Sequence, residues 1–323
     1  MTLKIGTLTL PSPYILAPMA SLTDVAFRRL VGELGGVGLL VTEMISADGL
    51  VRRNRRTLEM MRGPGEDTPV FIQLFGSAPE PLAEAARMVA GETDFDGIDI
   101  NMGCPAGKVI RKGAGAALMK DPALAARITA AVRRAVPERP LTVKMRLGFD
   151  RVNAVEFLDA VQSEGIDAVT VHFRLQCNRY RIPADWEYAR KLRAVARVPL
   201  VGNGDVMTAR EARQRLKVVD GVMIGRGAVM DPLIFRRLAG SDHRSALAGS
   251  RVIPRLLELI ETHYPEPMRL GRLKALTRFL VSGRRMSRRY RQAIYAAATY
   301  VEGARSLLEL ADRILIDRES EDM

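Results

Sequence analysis

Cysteine and histidine are both scarce, at two and three in 323 residues. Cys104 and Cys177 cannot build a disulfide framework, no Cys-x-x-Cys pair exists, and so few histidines leave no set for zinc, so no metal is expected. No apolar run approaches the ~18 residues that span a bilayer. The opening Met-Thr-Leu-Lys lacks the charged and then apolar layout of a secretory signal. A cytoplasmic protein without membrane attachment is therefore expected. A Rossmann fingerprint is missing too: Gly113-Ala114-Gly115 comes nearest, but Leu118 stands where the third glycine belongs and no strand precedes the segment. A nicotinamide would have to bind transiently. Acidic residues are absent from Arg269 to Arg291, where nine basic ones gather: Arg269, Arg272, Lys274, Arg278, Arg284, Arg285, Arg288, Arg289 and Arg291. Solvated helix faces normally mix both signs. This run, with a net charge of +12, points to a polyanion such as nucleic acid.

A hydrophobic content of 47% over this length allows one large domain and a smaller one. Short apolar runs recur at Tyr14 to Ala17, Gly38 to Val41, Pro69 to Leu74, Gly97 to Asn101, Leu141 to Met145, Ala168 to His172, Pro199 to Gly202 and Gly221 to Ile224. Amphipathic stretches lie between them: Glu80 to Ala90, Asp121 to Ala135, Val152 to Glu164, Tyr188 to Ala196 and Thr208 to Leu216, with caps at Asp121 and Thr208. Strands without strict alternation, separated by helices, make a covered parallel sheet, and eight such units fit a closed (β/α)8 TIM barrel. A doubly wound open sheet competes. Polar and glycine-rich residues follow the strands, and only a barrel brings eight strand ends to one mouth. The expected fold is an α/β (β/α)8 TIM barrel over 1–240, a linker at 241–250, a small C-terminal helical domain over 251–316 and a polar tail at 317–323. Helices are expected at Val252 to His263, Arg269 to Ser282 and Met286 to about Ile316.

The mouth offers candidate chemistry. Cys104, bracketed by Gly103 and Pro105 after the strand that ends at Asn101, is either a small buried hydrophobe, as most free cysteines are, or a thiol presented for reaction. Gly225-Arg226-Gly227 and Asn203-Gly204-Asp205 occupy the place where barrels hold phosphate, which suggests a phosphorylated substrate or a cofactor such as flavin mononucleotide; the plain alternative is tight turns. Lys144 ends an apolar strand, so its ammonium must face the mouth or be paired. Gln73 and His172 complete a polar floor, although His172 alone could be an ordinary core histidine.

Taken together these pieces closely resemble the tRNA-dihydrouridine synthase family. The matching segments are Ala17-Pro18-Met19, Thr42-Glu43-Met44, Gln73-Leu74-Phe75-Gly76, Asn101-Met102-Gly103-Cys104-Pro105 with Lys108, Gly113 to Leu118, Val143-Lys144-Met145-Arg146, Val171-His172 with Arg174, Ala184-Asp185-Trp186, Gly202 to Asp205 and Ile224 to Gly227. The resemblance implies flavin mononucleotide held by Pro18, Met19, Ala20, Gln73, Lys144, His172, Asn203, Gly204, Asp205, Gly225 and Arg226, with NADPH or NADH as transient reductant. It implies that flavin N5 passes hydride to C6 of an extruded uracil and that Cys104, the catalytic residue, protonates C5. Asn101 and Arg174 would meet the uracil or its backbone. Lys108, Arg272, Lys274, Arg278, Arg284, Arg285 and Arg288 would meet the rest of the tRNA, bound by a protein that is a monomer when free. Basic rim loops are expected at Arg52, Arg53, Arg55 and Arg56, at Arg111 and Lys112, and at Arg179 and Arg181. The chain departs from the family at Phe173, Gln176 and Ile182, where a small residue, an arginine and a glycine are common; Phe173 is expected to narrow the flavin pocket. The rival readings are a dihydroorotate-dehydrogenase-like flavin enzyme on a small pyrimidine and a non-catalytic RNA-binding protein on a barrel scaffold.

Overall fold

The computed structural model describes residues 2–61, 67–178, 181–240, 246–281 and 287–321, with the backbone alone for 246–250, 287 and 311–321. Arg179, Arg284, Arg285 and the first half of the expected linker, 241–245, lie outside the described residues. A two-stranded hairpin, β1 (Leu3–Ile5) and β2 (Leu8–Leu10), precedes the barrel strands β3 (Tyr14–Leu16), β4 (Leu39–Ser46), β5 (Val70–Phe75), β6 (Gly97–Asn101), β7 (Leu141–Gly148), β8 (Ala168–Leu175), β9 (Leu200–Asn203) and β10 (Gly221–Ile224). These eight pair in parallel, and β10 closes on β3. The barrel expected from the spacing of apolar runs is the one observed.

Helices cover the strands in turn: α1 (Val25–Leu34), α2 (Ala47–Val51), α3 (Arg55–Met60), α4 (Pro79–Glu92), α5 (Gly107–Ile110), α6 (Pro122–Ala135), α7 (Ala154–Gln162), α8 (Tyr188–Val195), α9 (Ala209–Arg215), α10 (Arg226–Met230) and α11 (Ile234–Leu238). The side chain of Asp121 accepts from the Leu124 amide, and Thr208 and Glu211 form a reciprocal capping box. Both caps are where the sequence puts them.

The strands show why the interior changes character from one end to the other. Side chains alternate between the helix layer and the barrel interior. Ile98 and Ile100, Val143 and Met145, and Val169, Val171 and Phe173 join the outer core. Ile15, Leu39, Val41, Phe71, Ala168, Val201 and Met223 fill the lower interior. One step further up the same inward faces stand Gln73, Asn101, Lys144, His172 and Asn203. The hairpin, which was not expected, closes the lower end with Leu3, Ile5 and Leu10.

Four more helices follow: α12 (Ala246–His263), α13 (Glu266–Leu280), α14 (Ser287–Ala296) and α15 (Tyr300–Glu321). They bury Leu256, Ile260, Leu273, Leu276, Ile294 and Leu307, and α12 packs on α1 while α13 packs on α10. Several boundaries differ from expectation, and α13 starts at Glu266 where the helix was expected from Arg269. Residues 246–250 of the expected linker are helical, because Ala246, Leu247 and Ala248 are strong helix formers that outweigh Gly249. The single helix expected from Met286 to Ile316 is two, since Thr299 accepts from the Glu302 amide while the Glu302 carboxylate receives the Ala298 amide at 2.9 Å, which starts a new helix. That helix then runs to Glu321, through most of the expected polar tail. Among the described residues, no helix is long and apolar enough to cross a membrane and no cluster of side chains could hold a metal ion.

Leu10 is fully buried in the plug. Its replacement by alanine is expected to cost about 2–5 kcal/mol of stability, measured by urea unfolding, without altering the strand-end cavity.

Candidate active site

A cavity of about 520 Å³ opens at the C-terminal ends of the strands. Pro18, Met19, Ala20, Gln73, Lys144, His172, Asn203, Gly204, Asp205, Gly225 and Arg226 all line it, together with Asn101 and Cys104. The strand register explains this gathering, because Gln73 pairs with Asp99, Asn101 with Lys144, Arg146 with His172, and His172 with Asn203.

Cys104 is half-buried on the loop after β6. Four hydrogen bonds fix that loop. The Asn101 Oδ1 accepts from the Cys104 amide at 2.9 Å and the Gly103 amide at 3.2 Å. Arg146 Nε donates to the Gly103 carbonyl at 2.6 Å, and the Ala116 amide donates to the Cys104 carbonyl at 3.0 Å. Gly115 makes the last approach possible: its φ is +62°, and a Cβ there would lie 2.9 Å from the Cys104 carbonyl oxygen.

Lys144 Nζ donates to Asn203 Oδ1 at 3.3 Å, and Asn203 Nδ2 is held by the Met223 carbonyl at 2.8 Å. Burial, and secondarily the Arg146 guanidinium, bring the Lys144 pKa down to about 8. His172 is pushed well below its usual value, first by burial and then by Arg146, Lys144, Arg174 and Arg226, so it stands neutral at pH 7. Next to His172, whose Nε2 lies 3.5 Å from Arg174, Asp205 pairs with Arg226 at 2.9 Å and with Arg174. Burial would raise that carboxyl, but the Ala184 amide and Arg174 outweigh it and hold Asp205 below the usual carboxylate range. Two guanidiniums on one carboxylate leave a net positive charge. It lies beside Gly225 and the start of α10, where backbone amides have no acceptor one turn back.

The loop at 18–21 is held from β4. Ser21 adopts φ +64°, and its amide donates to Glu43 Oε1 at 2.5 Å. Burial pushes the Glu43 carboxyl up despite that bond.

Other expected contacts have different surroundings. Arg174 is buried beside His172, where Nε donates to the Ile182 carbonyl at 2.5 Å, and it does not line the cavity. Lys274 Nζ donates to the Ala297 carbonyl at 2.8 Å, and Arg272 lies 3.5 Å from the buried carboxylate of Asp24 and 4.6 Å over the Tyr264 ring. These two cations tie the helices to their neighbours instead of facing outward: Lys274 donates to a carbonyl at a helix end, and Arg272 lies within ion-pair distance of Asp24. Lys108 and Arg288 are exposed, away from the cavity, while Arg278 reaches its edge with its guanidinium 5.6 Å over the ring of Phe279. Phe173 does not narrow the pocket. It faces the helices from the outer side of β8 and stacks 4.7 Å from Trp186, over Gly202, where a Cβ would meet the indole at 2.4 Å.

Arg146, Met44, Met223 and Phe279 also line the cavity; the first two stand in strand-end segments expected at the mouth but were given no role, and the last two were not expected there. For Arg146 the signal was present, since it stands two residues beyond Lys144 on the same inward face. Phe279 sits in a charged helix and carried none.

The family model for dihydrouridine synthase (Dus) matches residues 15–311. The tRNA-dihydrouridine synthase B of Pseudomonas aeruginosa is 40% identical over 276 residues, covering 82% of each chain. A probable tRNA-dihydrouridine synthase of Rickettsia conorii is 37% identical over 270 residues, 81% of this chain and 80% of that one. Among solved structures, morphinone reductase superposes with a TM-score of 0.51 at 14% identity, over 74% of this chain and 88% of that one. Histamine dehydrogenase from Rhizobium sp. 4-9 gives 0.55 at 15% identity, over 80% and 50%. These two share the fold. With a matched model across nearly the whole described chain and relatives this close, the chain belongs to the dihydrouridine synthase family.

Proposed function

We propose that this protein reduces uridines in tRNA to 5,6-dihydrouridine, with flavin mononucleotide as cofactor and NADPH or NADH as its transient reductant. The observation that carries this reading is a thiol fixed at the edge of a polar, cation-rich cavity in a chain of this family. The donor set fits the cofactor. Gly204, Gly225 and the Arg226 to Asp205 to Arg174 cluster offer amides and a net positive charge to a phosphate, while Gln73, Lys144 and the neutral His172 offer donors to a carbonyl-rich ring. Bound there, reduced flavin supplies the hydride for uracil C6, which no side chain of the protein can give. Cys104 then delivers a proton to C5, so it must remain a thiol until that moment. Asn101 orients the base beside it.

The carbon atoms to be reduced are reached from the ring face, so the uridine has to leave its stack, as loop nucleotides do most cheaply. Arg278 and Phe279 at the cavity edge, with the exposed Lys108 and Arg288, supply charge and one aromatic surface for the surrounding RNA. They also favour a polynucleotide over a small free pyrimidine. This reading makes the protein a cytoplasmic monomer that meets its RNA directly, with residues 1–240 as the catalytic domain and the helices after them as the tRNA-binding domain.

Mapping dihydrouridine in RNA from a strain lacking the gene is expected to show its loss at one or two tRNA positions. The intact gene restores them and Cys104→Ala does not; full restoration by the alanine variant would overturn the role of the thiol. The purified protein is expected to be yellow, and a colourless protein that cannot be reconstituted with flavin would sink the cofactor assignment. Lys144 carries its charge below about pH 8 and loses it above. Flavin mononucleotide affinity, followed by fluorescence quenching, is therefore expected to fall on the order of tenfold between pH 7 and pH 9.5, the worth of one charge-assisted contact. Lys144→Met removes that pH dependence.

A further inference from the structure

Asp99 lies at the centre of β6 with 2% of its surface exposed, and the chemistry described so far does not use it. Both of its oxygens accept hydrogen bonds: Oδ1 from the Thr142 hydroxyl at 2.6 Å and Oδ2 from Gln73 Nε2 at 2.7 Å. Gln73, itself fully buried, then accepts at Oε1 from Asn101 Nδ2 at 2.7 Å. Asn101 ends the series by accepting at Oδ1 from the amides of Gly103 and Cys104.

Side-chain amides can turn over, which would exchange donor for acceptor at each step. Here neither end permits it. Asp99 accepts at both oxygens, although burial raises its carboxyl, so Gln73 presents its NH2 to Asp99 and its oxygen to Asn101. Backbone amides only donate, so Asn101 must present its oxygen to them and its NH2 to Gln73. The two ends impose the same direction on both amides, and every buried group in the series finds a partner.

We propose that Asp99 is a positioning residue for Cys104: by accepting from both sides it sets the direction of the Gln73 and Asn101 amides and so fixes the loop that carries the thiol. The purpose given to this arrangement rests on Cys104 being the proton donor; the arrangement itself does not.

The test is a reciprocal exchange of charge. Asn101→Asp puts acceptors at both ends of the series, so one buried oxygen must face another. Adding Asp99→Asn lets Gln73 turn over, donate to the new carboxylate at 101 and accept from the new amide at 99, whose own oxygen keeps the Thr142 hydroxyl. All donors and acceptors are again matched. The flavin-loaded protein is prepared in a Cys177→Ser background so that iodoacetamide reports Cys104 alone. Asn101→Asp is expected to change the labelling rate about tenfold and to lower the melting temperature by roughly 5 °C. The double exchange is expected to return the rate to within about threefold of the parent and to recover most of the lost melting temperature. If Asn101→Asp does not fold, recovery of folded protein by the second change is the same result. Penalties that simply add, or a double variant no better folded than Asn101→Asp, would overturn the proposal. Dihydrouridine formation is scored separately on the parent and on Cys104→Ala, so a failed functional reading is distinguishable from a failed relay.

Discussion

A polar group inside a barrel must find a partner there, and the whole mouth is arranged by that requirement. The inward faces of β5, β8 and β9 are apolar at the foot, at Phe71, Ala168 and Val201, and polar at the tip, at Gln73, His172 and Asn203. At that boundary the buried side chains satisfy one another around the circumference: Thr142 and Gln73 on Asp99, Asn101 on Gln73, Lys144 on Asn203, Asn203 on the Met223 carbonyl. Strand register decides which residues stand level, so a parallel ladder also sets a hydrogen-bonding order. The thiol inherits its position from that order.

Much of this was legible in the sequence. Runs without alternation, each ended by a polar or glycine-rich turn, imply a covered parallel sheet, and the convergence of those turns implies closure. The inward side chains follow from the period of two once a strand's end is known, which is why Gln73, Lys144, His172 and Asn203 could be placed on one floor. Arg146 obeys the same rule on a strand that continues to Gly148, but its part, holding the Gly103 carbonyl, depends on how the neighbouring loop folds. Asp99 could be placed on its strand, but which neighbour it would satisfy depends on register, and register between parallel strands joined by helices has no local signal.

The helical domain was less legible for a related reason. A run of cations in a sequence does not reveal which members will meet an oxygen in the fold. Arg272 turns toward Asp24 and Lys274 toward the end of a neighbouring helix, whereas Arg278 stays at the cavity edge. The same domain is joined to the barrel by Arg255, which reaches both carboxylate oxygens of Glu33 at 2.7 and 2.8 Å. Part of the positive charge thus goes to assembly, while Arg278 stands at the cavity edge and Arg288 is exposed.

The small hairpin at the start of the described chain gives the cavity a sense of time as well as place. Among the described residues, Leu3, Ile5 and Leu10 seal the lower end and the cavity opens at the strand ends. Whatever enters by that mouth has to leave by it.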